Sequence, residues 1–184
     1  MRWPRWLTLG LVALCLGIAW LTVAAAPSGI WLDVPYVRQP KEGCGAACIS
    51  MILQYWTLKD PKYKCSLPGV DAIQRTLYSP KGHGIFARDM ESYLRRKGLH
   101  VYAFRGDWNM LQDHLSKGRP LIVCLREGRW LHYVVVLGLD PAANVVLVND
   151  PAGEKLEPLR RTAFEKKWSA EGDWTLLALP GPPQ

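Results

Sequence analysis

Hydrophobic positions fall in three patterns along the chain: one long unbroken run, then helical spacing, then short continuous runs. The unbroken run is Leu7 to Ala26, inside a stretch from Trp6 to Leu32 that carries no charge. Helical spacing begins at Cys44, where Cys48, Ile49, Ile52, Leu53 and Trp56 form one apolar stripe and predict a helix starting at or just after Cys44. Residues 31–38 read as extended and end in a turn, Gln39 to Gly43. Lys59 to Gly69 is polar and proline-containing, a loop; Val70 to Leu77 is a weak helix, and Ser79 to Gly84 a turn. Met90, Tyr93 and Leu94 share a face of a helix over Ile85 to Lys97, stopped by Gly98. Asp107 caps a helix through Lys117, with Met110, Leu111, His114 and Leu115 inward.

The short runs predict strands: Val101–Phe104, Leu121–Leu125, His132–Leu139, Val145–Asp150 and Trp174–Leu179. Asp140 to Asn144 is the turn of a hairpin between the third and fourth of these. Thr162 and Glu165 read as a capping box for a short helix ending near Trp168. Helices first and a run of antiparallel strands afterwards predict an α+β domain.

The Leu7–Ala26 run is long enough, at about 30 Å as a helix, to cross a bilayer. Arg2 and Arg5 precede it, which places the N-terminus in the cytoplasm and the rest of the chain outside. The small residues at its end suit a cleaved signal peptide, while its length and Pro27 suit a retained anchor. Both remain open. The division is therefore residues 1–26, signal peptide or membrane anchor, and residues 27–184, one exported domain.

Only then does composition become informative. The chain has 184 residues, 49% of them apolar, and a formal charge of +7. Removing residues 1–26 takes away Arg2 and Arg5 and no acid, so the domain is mildly basic. Its basic residues are scattered, with no aromatic-interleaved stripe, which argues against nucleic acid as a partner. The exported part carries Cys44, Cys48, Cys65 and Cys124. In an oxidising compartment these allow up to two disulfides, or one if a thiol stays free for chemistry, with the pairing open. Cys44, Cys48 and His83 lack a second close pair of ligands, so the expectation is no metal and no cofactor.

Cys44 is the candidate nucleophile. A cysteine reacts as its thiolate, and the partial positive charge at a helix start favours that anion. Gly43 and Gly45 flank it and let another backbone approach. The candidate bases are His83, His100, His114 and His132. Folding the Asp140–Asn144 hairpin puts His132 opposite Asp150, at the roughly 5 Å separation of facing residues, close enough for a carboxylate to orient an imidazole. Asn149 points to the other face, and a one-residue slip would exchange the two. Gln39, five residues before Cys44, can join the Cys44 backbone N–H in stabilising an oxyanion. Cysteine, histidine and carboxylate in that order are a thiol-protease set.

The segments VPYVRQPKEGCGAACISMIL, LHYVVVLGLD and VLVNDPAG resemble the bacteriocin-processing (double-glycine) peptidases, cysteine peptidase family 39. The resemblance covers most of residues 33–180 and implies a papain-like fold, with N-terminal helices packed on an antiparallel sheet. It implies Cys44 as nucleophile, His132 as base, Asp150 as orienting acid and Gln39 as oxyanion-hole donor. It also implies peptides cut after a double-glycine leader as substrates, and a separate export or transporter complex as partner. Gln39 and Cys44 are one residue closer than in the transporter-fused members, and Gly43 stands where those have an acid, which suits the stand-alone branch. No Walker A loop occurs in the sequence. Two other readings share these residues: an inactive module that binds a leader or partner, and a thiol amidase or acyltransferase acting on cell-wall peptides.

Overall fold

The computed structural model describes residues 29–181. The leader expected over residues 1–26 lies outside the described residues, and among those described no helix is long and apolar enough to cross a membrane. The elements in chain order are β1 (Ile30–Trp31), α1 (Cys44–Lys59), α2 (Val70–Leu77), a 3-10 turn (Pro80–Gly82), α3 (Ala87–Arg96), β2 (Leu99–Arg105) and α4 (Trp108–Ser116). They continue with β3 (Leu121–Glu127), β4 (Trp130–Asp140), β5 (Val145–Asn149), β6 (Glu157–Arg160), α5 (Arg161–Ser169) and β7 (Trp174–Pro180).

All strand pairs are antiparallel, and the sheet runs β2-β7-β3-β4-β5-β6, with β1 added on β4. β7 inserts between β2 and β3, so the last strand of the chain lies in the middle of the sheet. This explains the unbroken apolar runs in β3 and β4. Ile122, Cys124, Tyr133, Val135 and Leu137 join one core with α1, α2 and α3. Leu121, Val123, Leu125, Val134 and Val136 join a second core with α4 and α5 on the opposite face. A strand covered on both faces has no polar side to alternate with. The fold is thus α+β as expected, with helices covering both faces of the sheet.

α1 is buried almost all round, from Gly45 to Leu53 and again at Tyr55 and Trp56, because it is walled by the sheet, α2 and α3. Fully burying Ile49, Ile52 and Leu53 is worth about 1.5–3 kcal/mol each. Trp56 closes its far end by donating its indole N–H to Ala178 O at 2.8 Å.

Several local expectations change. Asp107 does cap α4, accepting the Met110 N–H at 2.8 Å. Met110, however, is exposed and His114 only half-buried, because the buried face of α4 is narrow and holds Leu111 and Leu115 alone. The expected Thr162–Glu165 capping box is absent: α5 begins two residues earlier, N-capped by Arg160 without a side-chain bond, and Glu165 is taken by Arg161 at 2.9 Å. β6 was not expected; its Pro158 and charged ends hide the strand pattern, and it pairs only with β5. Cys44, Cys48, Cys65 and Cys124 are all free thiols, so no disulfide forms among them.

Candidate active site

The start of α1 is shaped by the turn before it. Gly43 N–H donates to Pro40 O at 3.0 Å, and a Cβ on Gly43 would lie 2.5 Å from the Pro40 ring. Glycine is therefore required there for space. Glu42 enters this turn with φ 54°, a left-handed conformation that non-glycine residues rarely adopt. Because Gly43 is the N-cap, α1 has no side-chain cap. Its first N–H groups, which have no intrahelical partner, remain open at the end that carries Cys44.

Cys44 is half-buried and lies in a cleft of ≈ 380 Å³ with Gln39, Glu42, His83, Trp130 and His132. His132 comes from the start of β4, Trp130 and Leu131 from the same strand end, and His83 from the turn between α2 and α3. His132 Nε2 lies 2.7 Å from Asp150 Oδ1. That oxygen also accepts the backbone N–H groups of Ala152, at 2.8 Å, and Gly153, at 3.3 Å.

The pair forms, although not by the facing register expected. In the ladder Val135 faces Asn149, and the register shifts between Val136 and Gly138. β5 ends at Asn149, so Asp150 reaches His132 from the turn after the strand. The ladder opens with Asp140 facing Val145, so the turn is centred later than a facing His132–Asp150 pair requires, and the bulge recovers only part of the difference. Asn149, the lesser candidate, is fully buried and turned away. Its amide donates to Val34 O at 3.1 Å and accepts the Leu156 N–H at 3.0 Å.

Burial pulls the His132 imidazole toward its neutral form, yet hydrogen bonds to Asp150 and to the Cys44 side chain outweigh it and raise the pKa to about 10. Burial likewise pushes Asp150 up, but the His132 bond, its charge and the two backbone N–H groups hold the carboxyl below the usual carboxylate range. An ionised carboxylate can only accept, so Nε2 donates to Asp150 and Nδ1 is the nitrogen left for Cys44. Cys48 is fully buried one turn below, and burial pushes its thiol far up. Cys124 is pushed up to about 12, again by burial. Cys44 is the thiol that opens onto the cleft.

Gln39 lines the same cleft. Its backbone N–H donates to Pro151 O at 3.0 Å, and its side-chain oxygen is buried without a partner. That oxygen can only accept, so the group of Gln39 able to meet an oxyanion is the N–H at the other side of the amide. The other histidines stand apart. His100 is on β2 beside Gly181, and His114 packs against the Phe104 ring. His83 is in the cleft, but as part of its wall: Nδ1 lies 3.5 Å from Glu42, and its ring meets Trp130 edge-on at 5.6 Å. Glu42 also accepts the Tyr78 hydroxyl at 2.5 Å, the main cause of its lowered pKa.

Sequence reasoning missed this Glu42–Tyr78–His83–Trp130 wall, since its four members come from different segments with no shared spacing. The one local signal was the composition of the Pro40–Gly43 turn.

A thiol at the head of the buried helix thus meets a histidine at a strand end of the facing sheet and an aspartate in the turn after β5, the side-chain set of a thiol-hydrolase site. The chain belongs to the Peptidase_C39 like family, whose model matches residues 31–175. Among curated proteins it is similar to the sublancin-168-processing and transport ATP-binding protein SunT of Bacillus subtilis (strain 168), at 24% identity over 127 residues. Those residues are 68% of this chain and 16% of that relative, so the chain corresponds to a small part of it. In fold it is similar to the peptidase domain of Streptococcus ComA, a bi-functional ABC transporter involved in quorum sensing. The TM-score is 0.63 at 19% identity, covering 79% of this chain and 98% of that one. It is also similar to a double glycine motif protease from an AMS/PCAT transporter, solved in complex with the leader peptide. There the TM-score is 0.61 at 19% identity, covering 82% and 94%.

Proposed function

We propose that this protein cleaves peptide bonds through Cys44, His132 and Asp150, with Gln39 as an oxyanion donor, after a double-glycine leader sequence. The observation that carries the reading is the 2.7 Å His132–Asp150 pair in the cleft that Cys44 opens onto. The Cys44 thiolate attacks the scissile carbonyl carbon. The oxygen takes the electron pair and is met by the Gln39 side-chain N–H and the Cys44 backbone N–H. The tetrahedral intermediate collapses to a thioester as the imidazolium of His132 gives its proton to the leaving amine. Water then attacks the thioester carbonyl as His132 takes its proton; the C–S bond breaks, releasing the acid product and restoring the Cys44 thiolate beside the imidazolium. Asp150 holds Nε2, fixes the tautomer and stays ionised throughout.

The double-glycine part of the reading takes its support from the resolved leader complex of the AMS/PCAT protease, and the small part of the curated relatives that the chain matches leaves the partner open. The charge-free leader and the two arginines before it favour action on the extracytoplasmic face of a membrane, beside an export complex.

The test is a double-glycine peptide library incubated with the full chain under reducing conditions, beside Cys44→Ala. Cleavage after the glycine pair, lost in Cys44→Ala, is the expected result. Rapid alkylation of Cys44 without any peptide cleavage would overturn the peptidase reading in favour of a different thiol transferase.

A further inference from the structure

The segment that brings Gln39 into the cleft and the turn that brings in Asp150 are fastened together. Asn149 Nδ2 donates to Val34 O at 3.1 Å, and Asn149 Oδ1 accepts the Leu156 N–H at 3.0 Å. The Tyr36 hydroxyl reaches Gly153 O at 2.8 Å and Asp150 O at 3.2 Å. A hydroxyl has one proton, so the shorter contact is the main bond and Asp150 O takes a weaker share. Gln39 N–H donates to Pro151 O at 3.0 Å. Three positions of the 34–39 segment are thus engaged: Val34 and Gln39 through the backbone, and Tyr36 through its side chain.

Neither Tyr36 nor Asn149 lines the cleft that holds Cys44. Packing alone does not call for their polar groups. A phenyl ring would fill the place of Tyr36, and an amide in a fully buried site is costly unless every hydrogen bond is made. Both side chains spend their donors on backbone carbonyls of the two segments. A Cβ added at Gly153, the main acceptor for Tyr36, would displace the movable Glu157 carboxylate, 2.6 Å away, and would touch Asp150 Cβ at 3.4 Å. The turn is packed against the carboxylate it carries. The outer Lys155–Asp33 ion pair, at 3.0 Å, joins the same segments but is exposed and adds little.

We propose that Tyr36 and Asn149 are positioning residues that lock the Gln39 segment and the Asp150 turn into one rigid unit, so that oxyanion donor and orienting carboxylate are placed together. The proposal rests on the roles given above to Gln39 and Asp150. Neither residue touches substrate; each acts through the group it holds. Freeing the Tyr36 end lets the 150–153 turn and the 36–39 segment move relative to one another, and both functions decline at once.

The experiment uses the full chain carrying Tyr36→Phe, with Asn149→Ser as the second variant at the other end of the brace, which decides the matter where Tyr36→Phe fails to fold. Three quantities are read: titration of the His132 imidazole by NMR, affinity for a peptide aldehyde, and melting temperature. The side chains that act on the imidazole are Asp150 from the turn and Cys44 from α1, so its titration reports how Asp150 is held, without any substrate. The aldehyde adds to the Cys44 thiol and reports the oxyanion donors. The expected result is a His132 midpoint lower by at least about half a pH unit and aldehyde affinity lower by about fivefold. Combined with Gln39→Ala, Tyr36→Phe then adds no further loss of aldehyde affinity, since the group it positions is gone. A lowered melting temperature with both other readouts at wild-type values would overturn the proposal and leave only a structural role. Movement of one readout without the other would overturn the shared unit. Should the wild-type chain neither cut peptides nor bind the aldehyde, the peptidase reading fails, while the His132 titration still decides whether the brace holds Asp150.

Discussion

At the scale of single residues, the decisive fact is where His132 gets its proton affinity. Its pKa of about 10 lies above the ordinary value near 6.5, because the Asp150 and Cys44 bonds outweigh burial. The pair's contribution to stability is therefore complete below pH 6.5 and is lost as pH rises through about 10. Asp150, held low, contributes above the ordinary carboxylate range and loses its contribution as pH falls through its depressed value. Replacing Asp150 by Asn removes the support from both sides. The alkaline limb of the kcat/KM profile moves to lower pH, and kcat falls by about 10²-fold or more, as steady-state peptide cleavage across pH will read. An alkaline limb that stayed in place would mean that Asp150 does not set the proton on His132. That Cys44, His132, Asp150 and Gln39 would gather at one place was expected from the helix start, the hairpin and the family resemblance, and the structure brings them together. The path from His132 to Asp150 was not legible in the sequence. It depends on where the turn centres and on a β-bulge at Leu137, for which Gly138 was the one local mark.

At the scale of elements, the opening of α1 is the sensitive joint. Gly43→Ala would drive a Cβ into the Pro40 ring, so the turn must shift and Cys44 with it. The expected outcome is a stability loss of about 1–3 kcal/mol together with slower alkylation of Cys44, read by thermal melts and by iodoacetamide kinetics. Asp107→Ala is its counterpart far from the cleft. It removes the cap of α4, at about 1 kcal/mol, and leaves the alkylation rate as in the wild type. Helix existence was readable from apolar spacing and glycine stops for α1, α3 and α4. What failed was the inward set on α4 and the cap of α5. Both depend on which neighbours arrive from elsewhere in the chain: Arg161 takes Glu165 away from any capping role.

At the scale of the whole molecule, two hydrophobic layers share one sheet, and the cleft belongs to the layer of α1, α2 and α3. Phe164, fully buried on α5, belongs to the other. Phe164→Ala should cost about 3–5 kcal/mol in chemical denaturation while leaving Cys44 reactivity in the surviving folded protein intact. Because Cys44, Cys48, Cys65 and Cys124 are all free, reductant should leave the melting temperature unchanged; a marked fall would reveal a disulfide among them. The α+β class could be read from element order, but the second helical layer could not. The strand β7 that completes the middle of the sheet is the last element of the chain, and its placement is a matter of topology rather than of local pattern. The short strand β1 joins the sheet on β4, with Ile30 opposite Leu139 and Trp31 opposite Gly138. It packs so closely that a Cβ on Gly138 would lie 2.6 Å from Ile30 O. Mechanically, this is a clip at the first strand of the described residues. A tug on β1 along its length would load β4 in shear. The strand that bears that load is the one whose far end holds His132, so tension at the N-terminal side and alignment of the histidine share a single beam.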